Sequence, residues 1–259
     1  MKIFCTADIH SFFTPFKEAL DKAGFEENNP EHLLVVCGDV FDRGGESVEV
    51  YNYLNSLTNV VLVRGNHEDL LEELLNRGYG EGHDISNGTT RTVLDLEVIT
   101  DSKAQDAKEC CEAVKQLITP FLNRMVNYFE TKNCIFVHSW IPCDVHYETD
   151  NTKPWYQYGK TYNYMEDWRT ANEFKWAEAR WPNPFNMAAQ GLNKTGKTIV
   201  FGHWHVSWPR HQYEGKLEFG PRADFSPYYG EEDIIGLDAC TAHSGKVNVL
   251  VIEDDLLTE

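Results

Sequence analysis

Five apolar stretches of this 259-residue chain end in side chains that bind protons or cations. "IFCTADIH" runs into Asp8 and His10, which at a spacing of two share one face of an extended chain. "LLVVCGDVFDRGG" runs into Asp39, then Asp42 and Arg43, and "VVLVRGNHE" into Asn66 and His67. "CIFVHSW" ends at His138, and "TIVFGHWH" at His203 and His205, again two apart. At three of these junctions a glycine directly precedes the polar residue. Taken singly, a strand-end Asp reads as a turn or cap residue and a lone His as a packed imidazole. Seven nitrogen- and oxygen-donor side chains on five strand ends call for a common cause.

A pair of divalent metal ions supplies one. Imidazole, carboxylate and amide oxygen suit borderline ions such as Mn, Fe, Zn or Co. Cysteine is absent from the set, which speaks against a closed structural zinc site. Asp39, on the middle strand, is placed to bridge two ions about 3.5–4 Å apart, the geometry that hydrolyses phosphate esters.

The elements that must position these residues follow from periodicity. "KIFCTA" leads to a helix over Thr14 to Ala23, "LLVVC" to Ser47 to Leu57, and "VVLVR" to Glu68 to Asn76. This alternation predicts a mainly parallel sheet covered by helices, with ligands bound beyond the carboxyl ends of its strands. Residues 101–130 read as helical, broken at Pro120. Residues 145–196 have no strand-length apolar run, and all seven tryptophans follow residue 139. Such rings build the core of a cap, or a wall on which a nucleobase stacks. "DIIGLDA" and "KVNVLVIED" predict a hairpin through Ser244-Gly245. His83 to Arg91 reads as a loop near the mouth, with Asn87-Gly88 as its turn. Asp238 and His243 are candidate partners for metal-bound histidines. Without repeats or low-complexity linkers, 1–259 reads as one domain with cap-like insertions at about 80–130 and 145–196.

Composition narrows the partners. A hydrophobic share of 42% with 25% charged residues is that of a globular chain. A net charge of −18 disfavours nucleic acid as a partner and a nuclease role, because polyanions need a basic surface. A small anionic substrate remains compatible where local cations invert the field. Apolar runs fall short of the ~18 residues of a membrane span, and the N-terminus lacks a secretory pattern. Seven scattered cysteines, among them Cys5, Cys37 and Cys134 in strands and Cys110-Cys111 in a helix, predict reduced thiols in a cytoplasmic protein.

Asp8-x-His10, Gly38-Asp39-x-x-Asp42-Arg43-Gly44, Gly65-Asn66-His67-Glu68, His138 and Gly202-His203-x-His205 together resemble the calcineurin-like metallophosphoesterases. The wording is closest to the phosphoprotein phosphatase branch, with its bacterial serine/threonine phosphatases and diadenosine tetraphosphate hydrolases. The resemblance covers residues 1–70, about 135–140, and 198–205. It implies an α/β fold, a sandwich of two β-sheets flanked by helices, with a helical, aromatic-rich insertion. It implies that Asp8 and His10 hold one metal, that Asp39 bridges, and that Asn66, His138 and His203 hold the other. His205 departs from this branch, but in other branches its position ligates the first metal. The cofactors implied are two divalent ions, Mn foremost, with Fe, Zn, Co or Ni as substitutes.

The implied chemistry is attack on phosphorus by a hydroxide between the ions. His67 acts as general acid oriented by Asp42, and Arg43 clamps phosphate oxygens. A second phosphate-binding arginine is expected before His203: Arg180, with Arg169 in reserve. Arg64 reads as a rim salt bridge. The expected activity is hydrolysis of phosphate monoesters on a small molecule, nucleotide or phosphoprotein. Hydrolysis of dinucleoside polyphosphates is the alternative, and a non-catalytic descendant ranks last because every expected ligand position is filled.

Overall fold

The computed structural model describes residues 1–147 and 159–256. β1 (Lys2–Thr6), β2 (His32–Cys37) and β3 (Val60–Val63) alternate with α1 (Phe13–Ala23), α2 (Ser47–Ser56) and α3 (Asn66–Arg77). Three helices follow, α4 (Gly82–Asn87), α5 (Thr89–Glu97) and α6 (Ala107–Leu122). Next come β4 (Phe129–Glu130), β5 (Cys134–Phe136), β6 (Cys143–Tyr147), β7 (Lys160–Tyr164), α7 (Glu173–Ala179) and α8 (Pro184–Ala189). The chain finishes with β8 (Thr198–Phe201), α9 (Ser207–Glu214), β9 (Tyr228–Gly230), β10 (Ile234–Gly236), α10 (Thr241–Ser244) and β11 (Leu250–Glu253).

Two sheets carry the fold, one of four strands in the order β11-β1-β2-β3 and one of five in the order β4-β5-β8-β10-β9. β1, β2 and β3 are parallel, as are β5, β8 and β10. Strand alternation builds the layers. Ile3, Cys5, Val35 and Cys37 point between the sheets, where they meet Cys134, Phe136 and Val200. Phe4, Leu34 and Val36 point the other way, onto Phe16, Leu54, Leu71, Leu96 and Phe121 of the covering helices. Ile135, Ile199 and Phe201 do the same on the far side against Trp168, Trp176 and Phe185. The strands read as unbroken apolar runs because both faces are buried. Losing one such large side chain to alanine costs about 3–5 kcal/mol.

Six expectations need correction. His83 to Arg91 is not a loop, since α4 and α5 take all of it but Gly88, and within residues 101–130 only Ala107–Leu122 is helical while Phe129–Glu130 is strand. β10 and β11 form no hairpin: α10 separates them, and β11 crosses to the first sheet, with Leu250 opposite Cys5. Apolarity announces a strand but not its partner. Residues 145–196 do contain strand, the two-stranded β6–β7 pair, whose "CDVHY" and "KTYNY" are too polar to form an apolar run. Pro120 does not break α6; it falls in the last turn, and the helix continues to Leu122. α3 starts at Asn66, two residues before the expected Glu68, so Asn66 and His67 lie in its first turn.

The 80–130 stretch supplies α5 and α6 to the helical layer beside α2 and α3. The described part of the aromatic segment is divided. Trp168 and Trp176 are buried, with Tyr162 and Tyr164 packed against the same cluster and Tyr128 stacked on Trp176 at 5.3 Å, whereas Tyr147, Phe174 and Trp181 are exposed. Trp155 lies outside the described residues. All seven cysteines are unpaired and six are buried. No described helix is long and apolar enough to cross a membrane.

Candidate metal centre and active site

The strand ends meet through an unusual backbone. Asp8, His10, Asp39, Asp42, Arg43 and His203 all adopt left-handed conformations, with φ between 47° and 74°. Each costs roughly 1–2 kcal/mol, and mutual hydrogen bonds offset that cost. The Asp8 amide donates to the Gly38 carbonyl at 3.2 Å, and the His10 amide to the Asp39 carbonyl at 3.0 Å. The His203 amide donates to both Asp8 carboxylate oxygens, at 3.0 and 2.9 Å. Glu68 accepts the amides of Asp39, Val40 and Gly65 at 3.0, 2.8 and 2.8 Å. Close approach explains two of the strand-end glycines. A Cβ on Gly202 would overlap the Asp8 carboxylate, and one on Gly65 would overlap Asp39.

Around Asp39 the donors form two groups, His10–Asp39–His67 and Asp39–His138–His203, each with its ligand atoms within 4.8 Å of one another. Each imidazole is oriented by the far ring nitrogen. His10 Nδ1 donates to the Phe41 carbonyl at 2.9 Å, His138 Nδ1 to Cys37 O at 3.0 Å, and His203 Nε2 to Trp181 O at 3.0 Å. In the neutral ring this leaves the near nitrogen bare. His138 Nε2 then faces Asn66 Oδ1 at 2.8 Å, His203 Nδ1 at 3.1 Å and Asp39 Oδ1 at 3.3 Å. Acceptors facing acceptors are a poor arrangement for one another and a good one for a cation.

The electrostatics agree. Burial holds the proton affinities of His10 and His138 below the ordinary imidazole range. Burial, followed by the neighbouring His138, takes His203 down to about 3. Burial alone would raise Asp39, but His138, His67, His10 and His203 outweigh it and keep the carboxyl well below the usual range. Asp8 is pushed upward by burial and by the charges of Asp238 and Asp39. Burial also lifts Asp238 to about 6 and Glu68 to about 7. Buried acids with too little positive charge around them, beside neutral imidazoles, fit divalent ions.

His67 differs from the other histidines. Its Nδ1 donates to Asp42 Oδ2 at 2.7 Å, while Nε2 lies 3.9 Å from Asp39 Oδ2 and 3.4 Å from Arg43 Nη2. Burial would lower its proton affinity, yet Asp39 and Asp42 outweigh that and raise it. Arg43 is exposed at the rim.

Other expected residues lie elsewhere. His205 belongs to neither group: its Nδ1 meets Ser207 Oγ at 2.9 Å and its Nε2 meets Glu218 at 3.4 Å. The buried Arg180 guanidinium is engaged by Asp69 at 2.8 Å, by Glu173 at 2.6 Å and by Asn127, instead of extending free toward the donors. Arg169 forks onto Glu130 at 2.7 and 2.8 Å. Arg64 pairs with Asp69 and Glu72, the rim salt bridge expected. Asp238 accepts the Cys240 amide and acts on Asp8 by its charge, whereas His243 packs on Phe219 and Phe225.

Sequence reasoning overlooked three contributions. Glu68 had a local signal, since a glutamate three residues into a helix after its cap reaches back to backbone amides. Thr89 and Thr92, which hold Asp42, and the Trp181 carbonyl, which holds His203, had none.

Comparison with known proteins gives a consistent family. Residues 1–207 match the profile described as calcineurin-like phosphoesterase. A symmetrical bis(5'-nucleosyl)-tetraphosphatase from Buchnera aphidicola subsp. Acyrthosiphon pisum (strain Tuc7) is 38% identical over 69 residues, 26% of this chain and 24% of that protein. One from Marinomonas sp. (strain MWYL1) is 26% identical over 143 residues, 55% of this chain and 45% of that protein. The matches thus span a quarter to under half the length of these curated relatives. Among solved structures, a cold-active protein tyrosine phosphatase superposes with a TM-score of 0.54 at 13% identity, covering 97% of this chain and 73% of the other. A structure provisionally assigned as a diadenosine tetraphosphatase gives 0.50 at 15%, covering 100% and 95%. At such identities the likeness is one of fold. With 207 of 259 residues under one family profile, and with the two-sheet architecture that the motifs imply, the chain belongs to the calcineurin-like phosphoesterase family.

Proposed function

We propose that this chain is a metal-dependent phosphohydrolase in which Asp39 is shared between two divalent ions, Mn foremost. Asp8 and His10 would complete the first position, and Asn66, His138 and His203 the second. The observation that carries the reading is the position of Asp39, whose carboxylate lies within ligand reach of both imidazole groups. When bound, such ions lower the pKa of water and polarise phosphoryl oxygens. The remaining work falls to the protein. His67, its Nδ1 held by Asp42, has Nε2 turned inward to protonate a leaving oxygen, a contribution of about 10²–10⁴-fold. Arg43, beside that nitrogen, offers a planar fork to the phosphate. Arg180 would have to release Asp69 or Glu173 before taking a similar part. His205 would have to leave Ser207 and Glu218 before reaching a metal.

On this chemistry the substrate is a phosphate monoester of the phosphoserine or phosphothreonine kind. A second reading, hydrolysis of dinucleoside polyphosphates, draws on the names of the sequence relatives and on Trp181. That indole is 51% exposed, with its ring 6.4 Å from the ring of His203, where a base could stack. The test is turnover of a phosphoserine peptide against diadenosine tetraphosphate with Mn²⁺ supplied. Preference for the peptide supports the first reading and preference for the dinucleotide the second. No turnover of either, or of aryl phosphates, would reject both and restore the non-catalytic alternative.

A further inference from the structure

Asp42 and Arg43 are consecutive residues with left-handed backbone, at φ 74° and 59°. A turn with two such residues persists only where its surroundings hold it. What holds this one is the junction of α4 and α5, a stretch that otherwise reads as an ordinary surface turn. The Asp42 amide donates to Thr92 Oγ1 at 3.0 Å, and the Arg43 amide to the Asn87 carbonyl at 3.2 Å. Thr89 Oγ1 donates to Asp42 Oδ2 at 2.6 Å, and Thr92 Oγ1 to Asp42 Oδ1 at 2.8 Å. Both threonines are fully buried. Gly88, between Asn87 and Thr89, leaves no room for a side chain: a Cβ there would stand 2.5 Å from the Arg43 nitrogen.

We infer that residues 87–92 are a brace for the Asp42–Arg43 turn, with Thr89 and Thr92 as positioning residues for His67. The inference rests on the reading of His67 as general acid. A buried carboxylate free to rotate would offer His67 either oxygen at varying angles, and the ring could exchange tautomers. With Oδ1 taken by Thr92 and Oδ2 shared by Thr89 and His67, one ring proton stays on Nδ1. A transferable proton is thereby confined to Nε2, which faces Asp39 and Arg43. Arg43 keeps a separate tie, its amide on the Asn87 carbonyl, so the two threonines act on the proton donor and not on the phosphate clamp.

The brace is tested on the full-length chain with Thr89→Val and Thr92→Val, each close to the native shape, and with the two Thr→Ser variants. With Mn²⁺ supplied, each valine variant should lose about tenfold or more on an alkyl phosphate, whose leaving group needs a proton, as losses of orienting partners generally do. Turnover of 4-nitrophenyl phosphate, whose leaving group does not, should fall by no more than about twofold to threefold. The serine variants should recover both rates. Independently of turnover, long-range ¹H–¹⁵N correlation on the metal-free chain, at a pH high enough for the His67 ring to be neutral, should find one His67 tautomer, protonated at Nδ1, in the wild type and a mixture in the double valine variant. Should that variant not fold, Thr89→Val alone is read the same way. Equal losses on both esters, or an unchanged tautomer, would overturn the brace. Wild-type turnover by His67→Asn would overturn the general-acid reading instead, and the tautomer measurement would still decide the brace.

Discussion

Glu68 and Asp39 are joined by a hydrogen bond in which the Asp39 backbone amide donates to Glu68 Oε2 at 3.0 Å, while Asp39 Oδ1 accepts the His67 amide, also at 3.0 Å. The same carboxylate takes the amides of Val40 and Gly65. One side chain therefore ties the end of β2 to the start of α3. Glu68→Gln would turn an amide N–H₂ toward these donors and leave at least one of them unsatisfied. It should cost about 1–3 kcal/mol of stability and weaken Mn²⁺ binding, as read by chemical denaturation and calorimetry. An unchanged midpoint would mean that Glu68 is not the tie.

Asp39→Asn removes the carboxylate common to both donor groups. Metal-dependent turnover should fall to background, and metal analysis should find fewer ions per chain. Full metal content with full activity would contradict the shared position.

His67→Asn separates acid catalysis from ligation. His67 lies near Asp39 and within the first donor group, but its Nδ1 is committed to Asp42. Both ions should stay, while turnover of esters with poor leaving groups falls by about 10²–10⁴-fold. Loss of an ion would make His67 a ligand.

Stability of the metal-free protein should depend on pH through the buried histidines. His203 falls to about 3 from an ordinary 6.5 because of burial and then of His138, and His10 and His138 shift the same way. The unfolded chain therefore binds more protons than the folded one between pH 6.5 and about 3. Stability from these groups is complete above 6.5 and declines as pH falls through that window. His67 opposes them, since its raised value favours folding at low pH and that share is lost as pH rises. Asp8, Glu68 and Asp238 oppose them too, because burial raises these carboxyls and the folded chain takes up their protons first as pH falls. The measurement is therefore a difference: between pH 7 and pH 5 the stability read from the urea midpoint should fall less for His203→Asn than for the wild type, by up to about 1.4 kcal/mol per pH unit. A pH slope left unchanged by His203→Asn would contradict a neutral buried ring at that position.

Trp181→Ala tests the stacking wall. If a base lies on this half-exposed indole, KM for diadenosine tetraphosphate should rise about tenfold or more, in keeping with about 1–3 kcal/mol per stacked base. Turnover of 4-nitrophenyl phosphate should hardly change. Equal effects on both would leave Trp181 as a support for His203 alone.

The two-sheet core and the donor cluster were legible for one reason. A strand buried on both faces is apolar throughout, so the polar residue ending it stands out, and parallel strands deliver their carboxyl ends to one edge. There Asp8 is hydrogen-bonded to the His203 amide and Asp39 to the His10 amide, while Asn66, His138 and His203 bring bare acceptors face to face. What periodicity could not assign was partnership. β11 looked like the partner of β10 yet pairs with β1, because an apolar run is compatible with either sheet.

The amino-acid order by itself determined which donor types stand at which strand ends, and therefore the class of ion and of chemistry they suit. The tertiary structure alone decided which charges are free. Arg180 and Arg64 both reach Asp69, Arg169 is spent on Glu130, and Arg43 keeps the rim. It also decided that Thr89 and Thr92 hold Asp42 from 47 and 50 residues away. Such bonds last because burial excludes the water that would otherwise compete for them, and burial is a property of the packed chain, not of any local stretch.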